Sequence, residues 1–205
     1  AEEVKRQLGN KENVARGLVP RKAAHKVPRY NGLRSENLIT EPVRRGTAPA
    51  LGLALLKLYK RDTKAMFVYI NADNFVRKED EFLRLLGVAE RVIKKKPDHG
   101  LLIGVNPTYP ETGLGYIKMG KPILKLKIKN AKLKTKEDTV FEMEKFVEKP
   151  DLATARKFLR RWEYLWNPTL IVARADHFLE LYKKHLPAMW KIMQRIEKAI
   201  DTPAE

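Results

Sequence analysis

Cysteine is missing from this sequence, histidine is scarce, and no apolar run is long enough to cross a membrane. Without cysteine the chain has neither disulfide bonds nor thiolate metal sites, and only four His are available as metal ligands or general bases. The first residues, AEEVKRQLGN, do not form a signal peptide. We therefore expect a soluble, cytoplasmic protein without a membrane partner. Because the chain begins without Met, we also expect a processed or incomplete piece.

What the chain does contain is enough apolar residues for one folded domain and a large excess of positive charge. Its 205 residues are 43% apolar, and its net charge is +17, which would attract nucleic acid, an anionic membrane or phosphorylated small molecules. Residues 1–35 carry nine Lys and Arg against three acids, and residues 116–150 carry ten Lys against five acids. Because this excess is spread out, we favour a solvated Lys-rich surface over a dedicated nucleic-acid groove.

Short apolar runs alternate with amphipathic segments along most of the chain. The clearest run, MFVYIN at 66–71, predicts a strand that is buried on both faces. Further strands are predicted at 38–40, 99–105, 140–150 and 165–174, with a hairpin at 123–134. Helices are predicted at 50–59, 78–95, 151–161 and 176–199, the third with Asp151 near its N-cap and the last broken near Pro187. Strands that alternate with helices are typical of a three-layer α/β domain.

Four polar clusters lie where a domain of this class binds ligands. Asp73, the loop 106–116 and the pair Glu148-Lys149 each follow a predicted strand, and ligands bind beyond the carboxyl ends of strands in open α/β sheets. The segment 45–49 begins a predicted helix, where free N–H groups and the helix dipole favour an anion or a polar base edge. All four clusters are therefore candidate binding residues.

Each cluster also has an ordinary structural explanation. Asp73 fits a turn or a helix cap as well as a metal ligand. Glu148 and Lys149 would usually be exposed charges at a strand end, and Asn167 could satisfy backbone groups in a turn. Taken singly, the clusters leave both interpretations open.

Taken in order, five sequence blocks are more specific than any one of them. EPVRRGTAPALGLA, NADNF, GVNPTYPETGLGYI, FVEKPD and WNPTL resemble the ordered motifs of mannose-1-phosphate guanylyltransferases, in the sugar-nucleotide pyrophosphorylase family. The resemblance covers residues 36–190. It implies a three-layer α/β/α, Rossmann-like nucleotidyltransferase fold of the glycosyltransferase-A-like type, with a mixed sheet. It also implies transfer of a nucleotidyl group from GTP to mannose 1-phosphate, which gives GDP-mannose and pyrophosphate.

The same resemblance implies roles for residues of the first two blocks. Arg45, Thr47, Ala48 and Pro49 match the stretch that recognises the nucleotide base. Asp73 matches the carboxylate that holds Mg²⁺ at the phosphates, so it is the expected metal ligand and one expected catalytic residue. The residue type agrees with this role, because Mg²⁺ prefers carboxylate oxygen.

The later blocks match the sugar pocket and the catalytic lysine of the family. Gly115 and Tyr116 match the loop that lines the sugar pocket, and Asn167 matches a further sugar contact. Glu148 matches the residue that binds sugar hydroxyls. Lys149 matches the catalytic lysine that approaches the phosphate, where a cation would offset the negative charge that develops during transfer.

Two parts of the family pattern have no counterpart in the chain. Residues 1–35 hold only isolated glycines where the family has a Gly-rich phosphate loop; residues 1–8 predict a helix end and residues 9–35 a long basic loop. The segment with the family's second metal-binding Asp is also not found before Glu205. We therefore expect an atypical loop-rich segment at 1–35, a partial nucleotidyltransferase domain at 36–205, and little activity of this chain alone.

Two other classes of function remain open from the sequence. One is a non-catalytic relative that binds a sugar nucleotide or a protein partner, and the other is a basic nucleic-acid-binding module. Nucleic acid is disfavoured because the aromatic residues mostly occupy core positions and do not interleave with the basic segments. For the leading hypothesis the partners are GTP and mannose 1-phosphate, the cofactor is Mg²⁺, and a homo-oligomer is left open.

Overall fold

The computed structural model describes residues 18–20, 38–41, 43–130, 133–200 and 202. The strands are β1 Leu18–Pro20, β2 Ile39–Glu41, β3 Met66–Tyr69, β4 Leu101–Leu102, β5 Gly115–Asn130, β6 Leu133–Val147, β7 Tyr164–Asn167 and β8 Ile171–Arg174. The helices are α1 Thr47–Arg61, α2 Glu79–Lys95, α3 Leu152–Leu159, α4 Ala175–His185 and α5 Pro187–Ala199. Within these ranges no helix is both long enough and apolar enough to cross a membrane.

The described strands form one parallel pair and two antiparallel sheets of three strands. β1 pairs in parallel with β2, and the two larger sheets have the orders β3-β8-β4 and β6-β5-β7. A bridge joins the larger sheets: the N–H of Val105 donates to the carbonyl of Trp166 at 3.0 Å, and the N–H of Trp166 donates back at 2.7 Å. The chain after β4 therefore runs beside β7, which brings the two sheets into continuity.

Helices cover both faces of the β3-β8-β4 sheet. Phe67 and Tyr69 of β3 pack against the hydrophobic cluster that α1, α4 and α5 share. On the other face, Met66 of β3 and Val172 of β8 pack against α2, where Ile93 is fully buried. Because side chains alternate between the faces of a strand, one short strand contacts both helical layers. The predicted three-layer α/β arrangement is confirmed.

The predicted helices are confirmed, and so are two of the signals that end or begin them. α4 ends and α5 begins at Pro187, where a proline without an N–H is tolerated in the first turn of a new helix. Asp151 caps α3, because its carboxylate accepts a hydrogen bond from the N–H of Thr154 at 2.7 Å. Local sequence therefore decides where these helices begin.

The strands differ more from the predictions. β3 lies at the edge of its described sheet and leaves Val68 39% exposed, so the strand is only partly buried although helices contact both of its faces. β4 is only Leu101–Leu102, where 99–105 was predicted. The strand predicted at 165–174 is divided into β7 and β8 by a turn in which Thr169 has the left-handed φ of 59°. An apolar run does not reveal which neighbour covers it or where the chain turns.

The predictions for the N-terminal segment are tested at only one place. The helix end at 1–8 lies outside the described residues, as does most of the loop predicted at 9–35. Within that predicted loop, Leu18–Pro20 instead forms β1 beside β2. The domain boundary at residue 36 stays a prediction.

The hairpin of β5 and β6 is longer than predicted and folds over α2. It begins at Gly115, whereas the sequence pattern indicated a hairpin at 123–134. Leu126 of β5 packs in a buried cluster with Val88 and Val92 of α2. The pairing register shifts at four places along the hairpin, as β-bulges produce, and bulges bend a strand. This bending lets the hairpin reach the helix.

Candidate functional site

The carboxyl ends of β3 and β4 and the start of β8 meet at one end of the β3-β8-β4 sheet. β3 and β4 both run antiparallel to β8, so the carboxyl ends of β3 and β4 lie beside the start of β8, where Ile171 pairs with Tyr69 and Leu102. The turn after β3 contains Asp73, and the turn before β8 contains Pro168. A hydrogen bond joins these turns, since the side-chain amide of Asn74 donates to the carbonyl of Pro168 at 3.2 Å.

Three of the residues predicted to bind sugar come together next to this end of the sheet. Gly115 of β5 is the register partner of Asn167 of β7. A Cβ atom on Gly115 would lie 3.1 Å from Oε2 of Glu148 and 2.6 Å from Cζ of Phe146, so both side chains lie directly over the glycine backbone. A glycine is needed here because a larger residue would displace them.

The Glu148-Lys149 pair ends β6 in an unusual backbone conformation. Lys149 has a φ of 40°, a left-handed conformation that costs a non-glycine residue roughly 1–3 kcal/mol. Its Nζ lies 3.9 Å from Oε1 of Glu148, and both side chains are exposed. The next residue, Pro150, is buried. The chain therefore turns into the core immediately after the two charges and leaves them facing solvent.

Two further predicted residues make structural hydrogen bonds with their side chains. Tyr116 is fully buried, and its hydroxyl donates to the carbonyl of Glu111 at 2.9 Å, which ties down the loop before β5. Only its backbone is left to face a ligand. The side-chain oxygen of Asn167 accepts a hydrogen bond from the N–H of Thr169 at 3.1 Å, so Asn167 also stabilises the turn before β8. The turn interpretation of Asn167 is thus compatible with a ligand contact by its amide N–H₂.

The start of α1 is held by a long-range hydrogen bond. Gly46, with a φ of 91°, is the N-cap of α1, and no side chain caps the helix. The hydroxyl of Tyr182 donates to the carbonyl of Ala48 at 2.7 Å. Burial raises the pKa of Tyr182 to about 12, with Tyr69 nearby as a smaller cause, so this hydroxyl stays protonated and keeps donating. The first turn of α1 is therefore fixed against α4, close to the end of β3.

The predicted nucleotide-recognition stretch adjoins an apolar depression. Arg45 and Thr47 are exposed, whereas Pro49 is half-buried. A depression of about 310 Å³ opens beside the first turn of α1. Its walls are almost entirely apolar and are formed by Thr47, Ala48, Leu51, Phe178, Leu181, Tyr182, His185 and Leu186. The exposed arginine and the free helix N–H groups thus stand next to an apolar surface.

Asp73 lies in an exposed turn and does not cap a helix. The N–H of Asn74 donates to the carbonyl of Asn71 at 3.2 Å, which closes the turn. The N-cap of α2 is Lys78, and its side chain makes no capping bond. The helix-cap interpretation of Asp73 is therefore wrong, and its carboxylate has no structural duty in the following helix.

The described residues supply only part of the ligands that a divalent cation needs. Within residues 43–130 and 133–200, no group of three or more His, Asp or Glu side chains is placed to hold a metal ion. Enzymes of phosphoryl transfer often bind Mg²⁺ through one or two carboxylates together with the substrate phosphates. Asp73 fits one protein ligand of such a site, and the phosphates would have to supply much of the remaining coordination.

Sequence reasoning missed two residues that hold the site together. Asn74 bridges to Pro168 across 94 residues of sequence, and Tyr182 reaches Ala48 across 134 residues. An amide after Asp73 was visible in the sequence, but nothing indicated its partner. A tyrosine at a core position of α4 carries no signal of a role at the start of α1, since its spacing is that of an ordinary buried residue.

Comparison with known proteins decides the family. Residues 1–203 match the family model described as Nucleotidyl transferase. The chain belongs to the nucleotidyl transferase family. This confirms the resemblance that the five sequence blocks carry, and it agrees with the three-layer α/β fold described above.

Several relatives in this family share a name. A mannose-1-phosphate guanylyltransferase of Salmonella montevideo is 36% identical over 151 residues, which cover 73% of this chain and 29% of the relative. A mannose-1-phosphate guanylyltransferase of Escherichia coli (strain K12) is 33% identical over 171 residues, which cover 82% of this chain and 33% of the relative. The chain therefore spans about a third of the length of the curated relatives it matches.

Solved structures share the fold of the nucleotidyl transferase domain. A crystal structure from Thermus thermophilus, described as a mannose-1-phosphate geranyltransferase, is 25% identical with a TM-score of 0.71, and the match covers 90% of this chain and 49% of that one. A Helicobacter pylori structure described as a mannose-6-phosphate isomerase is 21% identical with a TM-score of 0.65, and the match covers 89% of this chain and 64% of that one. The second likeness concerns the fold alone.

Proposed function

We propose that this chain is the core of an enzyme that transfers a guanylyl group from GTP to mannose 1-phosphate and releases pyrophosphate. The observation that carries the proposal is the convergence of Gly115, Glu148 and Asn167, which come from three separate strand ends. The names of the relatives supply the substrate class. Hydroxyl-rich sugars are selected by fixed polar groups, and these residues offer a carboxylate and an amide beside a glycine backbone.

The reaction requires charge placement more than a protein nucleophile. A phosphate oxygen of mannose 1-phosphate attacks the α-phosphorus of GTP, the bond to the bridging oxygen of the β-phosphate breaks, and pyrophosphate leaves with that oxygen. Lys149 and Arg45 are exposed cations that would offset the charge of the phosphates. Asp73 would ligate Mg²⁺, which when bound neutralises phosphate charge. Thr47, Ala48 and Pro49 would present helix N–H groups and an apolar surface to the base.

We infer a cytoplasmic location for this activity. The chain has no Cys, so it needs no oxidising compartment for its folding, and its substrates would be metabolites of the cytoplasm. A fractionation experiment with an antibody against the protein tests this location.

The test of the proposed function combines turnover with binding. A full-length version of the protein is incubated with GTP, mannose 1-phosphate and Mg²⁺, and pyrophosphate release is measured; calorimetry with GDP-mannose measures binding independently. Pyrophosphate release that requires both substrates supports the proposal. Binding of GDP-mannose without turnover by any nucleotide and sugar-phosphate pair would instead favour a non-catalytic, sugar-nucleotide-binding relative.

We predict that Gly115→Ala weakens GDP-mannose binding by about tenfold or more, that is about 1.4 kcal/mol. The added Cβ would have to displace the ring of Phe146 and the carboxylate of Glu148 from their places over the strand. Calorimetry on the variant measures the loss.

Gly87→Ala is the matched control, because it adds the same methyl group in the interior of α2, where nothing lies within 4 Å of the new Cβ. This control should stabilise the helix by about 0.5–1 kcal/mol and leave ligand affinity unchanged. Equal affinity of the Gly115→Ala variant and the control would show that the ligand does not approach the backbone at Gly115.

A further inference from the structure

Four exposed cations and an exposed tryptophan lie close together in sequence at the end of α3. Arg156 and Lys157 are exposed on the helix, and Arg160 and Arg161 repeat their positions one turn later. Trp162 follows in the turn and is 92% exposed. These five residues are called the Trp162 tip. Tryptophan is usually largely buried, so an almost fully exposed one next to four exposed cations marks a candidate docking surface.

The turn that presents Trp162 is firmly held from beneath. The N–H of Arg161 donates to the carbonyl of Phe158 at 3.0 Å. The rings of Phe158 and Tyr164, on either side of the turn, stack with centroids 3.9 Å apart. The carbonyl of Glu163 accepts a hydrogen bond from the N–H of Met119 of β5 at 2.8 Å. The core below the turn is therefore already filled by other aromatic rings, and the indole has no place in it.

The charge of the tip is left largely unbalanced by its own surroundings. Arg156, Lys157, Arg160 and Arg161 form no ion pair with any residue in the described ranges. The exposed acid in the turn itself is Glu163. The N-cap of α3, Asp151, also carries a negative charge near Lys157. Four cations against two acids leave a net positive patch beside the indole, and such a patch attracts an anionic surface.

We propose, against the expectation from the sequence of no membrane partner, that the Trp162 tip docks the protein on an anionic lipid membrane. Lys and Arg near a membrane are attracted to anionic headgroups, and an indole ring is favoured at the boundary between headgroups and acyl chains. A turn that exposes one aromatic side chain suits this interface. Proteins that bind single-stranded nucleic acid use a groove in which several aromatic side chains stack successive bases, and the tip has neither a groove nor a second exposed ring.

Docking at the tip would leave the candidate site accessible. β7 begins at Tyr164, just after the tip, and ends at Asn167 beside Gly115. A strand of this length separates its two ends by about 10 Å. The tip and the candidate sugar site therefore lie at opposite ends of β7. A single patch without a lipid anchor gives weak, reversible attachment.

Sedimentation with vesicles tests this proposal on the full 205-residue chain. At low salt we expect binding to phosphatidylcholine vesicles that contain phosphatidylserine, none to pure phosphatidylcholine, and release as the salt concentration rises. Binding should shift tryptophan emission to shorter wavelength, and Trp162→Ala should remove that shift. The double variant Arg160→Ala/Arg161→Ala should lower the vesicle partition coefficient roughly 25-fold, since each cation contributes about fivefold.

Lys94→Ala/Lys95→Ala is the matched control, because it removes two exposed cations from the last turn of α2 and changes the net charge equally. Circular dichroism confirms that both double variants are folded. An equal loss of binding in the two double variants would show that only the net charge acts, and this would overturn the proposal. Absence of vesicle binding would overturn it as well, and so would tip-dependent binding to a single-stranded RNA that is tighter than binding to the vesicles.

Discussion

Replacement of Asp138 by Ala is expected to lower the free energy of unfolding by about 3 kcal/mol, near the lower end of the range for removing one partner of a buried ion pair. The guanidinium of Arg84 in α2 is only 5% exposed and bonds to two carboxylates. It donates to Glu81 through Nε at 2.7 Å and Nη2 at 2.9 Å, and to Asp138 of β6 through Nη1 and, at 2.9 Å, Nη2.

These bonds raise the pKa of Arg84, with Glu81 as the largest cause and Asp138 as the next, so the guanidinium stays charged whatever happens to Asp138. The variant would thus leave the buried guanidinium of Arg84 with Glu81 as its one remaining carboxylate partner among the described residues. The hairpin would also lose its ion pair with α2. Because Glu81 remains, the loss falls short of that for a fully unpaired charge. Urea unfolding measures the global effect, and hydrogen exchange of the β6 amides measures the local one.

Two comparisons separate burial from charge in this prediction. Glu90→Ala removes a carboxylate from the i,i+4 pair with Lys94, in which both side chains are more than half exposed, and it should change stability by about 0.5 kcal/mol or less. Asp138→Asn keeps a hydrogen-bond acceptor for Arg84 and should cost less than Asp138→Ala. If Asp138→Ala were no more destabilising than Glu90→Ala, the buried pair would not anchor the hairpin.

Asp73→Asn is expected to reduce Mg²⁺-dependent pyrophosphate release roughly 100-fold or more, the size of effect seen when one preorganised electrostatic group of an active site is removed. Asn has nearly the same shape as Asp but lacks the charge that attracts a divalent cation. Because Asp73 is exposed and does not cap α2, the free energy of unfolding should change by about 0.5 kcal/mol or less. The Mg²⁺ dependence of GTP affinity provides a second measurement that needs no turnover.

The control for this variant is Asp98→Asn. Asp98 is an exposed carboxylate in the turn before β4, whereas the candidate site lies beyond the other end of that strand. The hydrogen bond from His99 lowers the pKa of Asp98, so it is ionised at neutral pH and the substitution removes the same charge. Retention of Mg²⁺-dependent GTP affinity and turnover in Asp73→Asn would show that Asp73 is only a turn residue.

Features that depend on neighbours in sequence were predictable from the sequence. The cap of α3 by Asp151, the break between α4 and α5 at Pro187 and the amphipathic pattern of α2 all follow from short-range bonding and from helical periodicity. The order of the five motif blocks was also sufficient to indicate the family.

Features that depend on pairing between distant segments were not predictable. The edge position of β3 and the division of 165–174 into two strands depend on which backbone groups find partners elsewhere. The exposure of Trp162 is also unusual for a tryptophan. The rings of Phe158 and Tyr164 stack on each other below its turn. A single sequence carries no signal for such competition between side chains.

The sequence by itself determined the residue types of the candidate site, their order along the chain and the class of the fold. Only the tertiary structure decided that Gly115 lies between Asn167 and Glu148, that the Asp73 turn is bonded to the turn at Pro168, and that Asp73 caps no helix. The physical reason is that strand register and side-chain hydrogen bonds join residues far apart in sequence, and the free energy of those contacts exists only once the chain has folded.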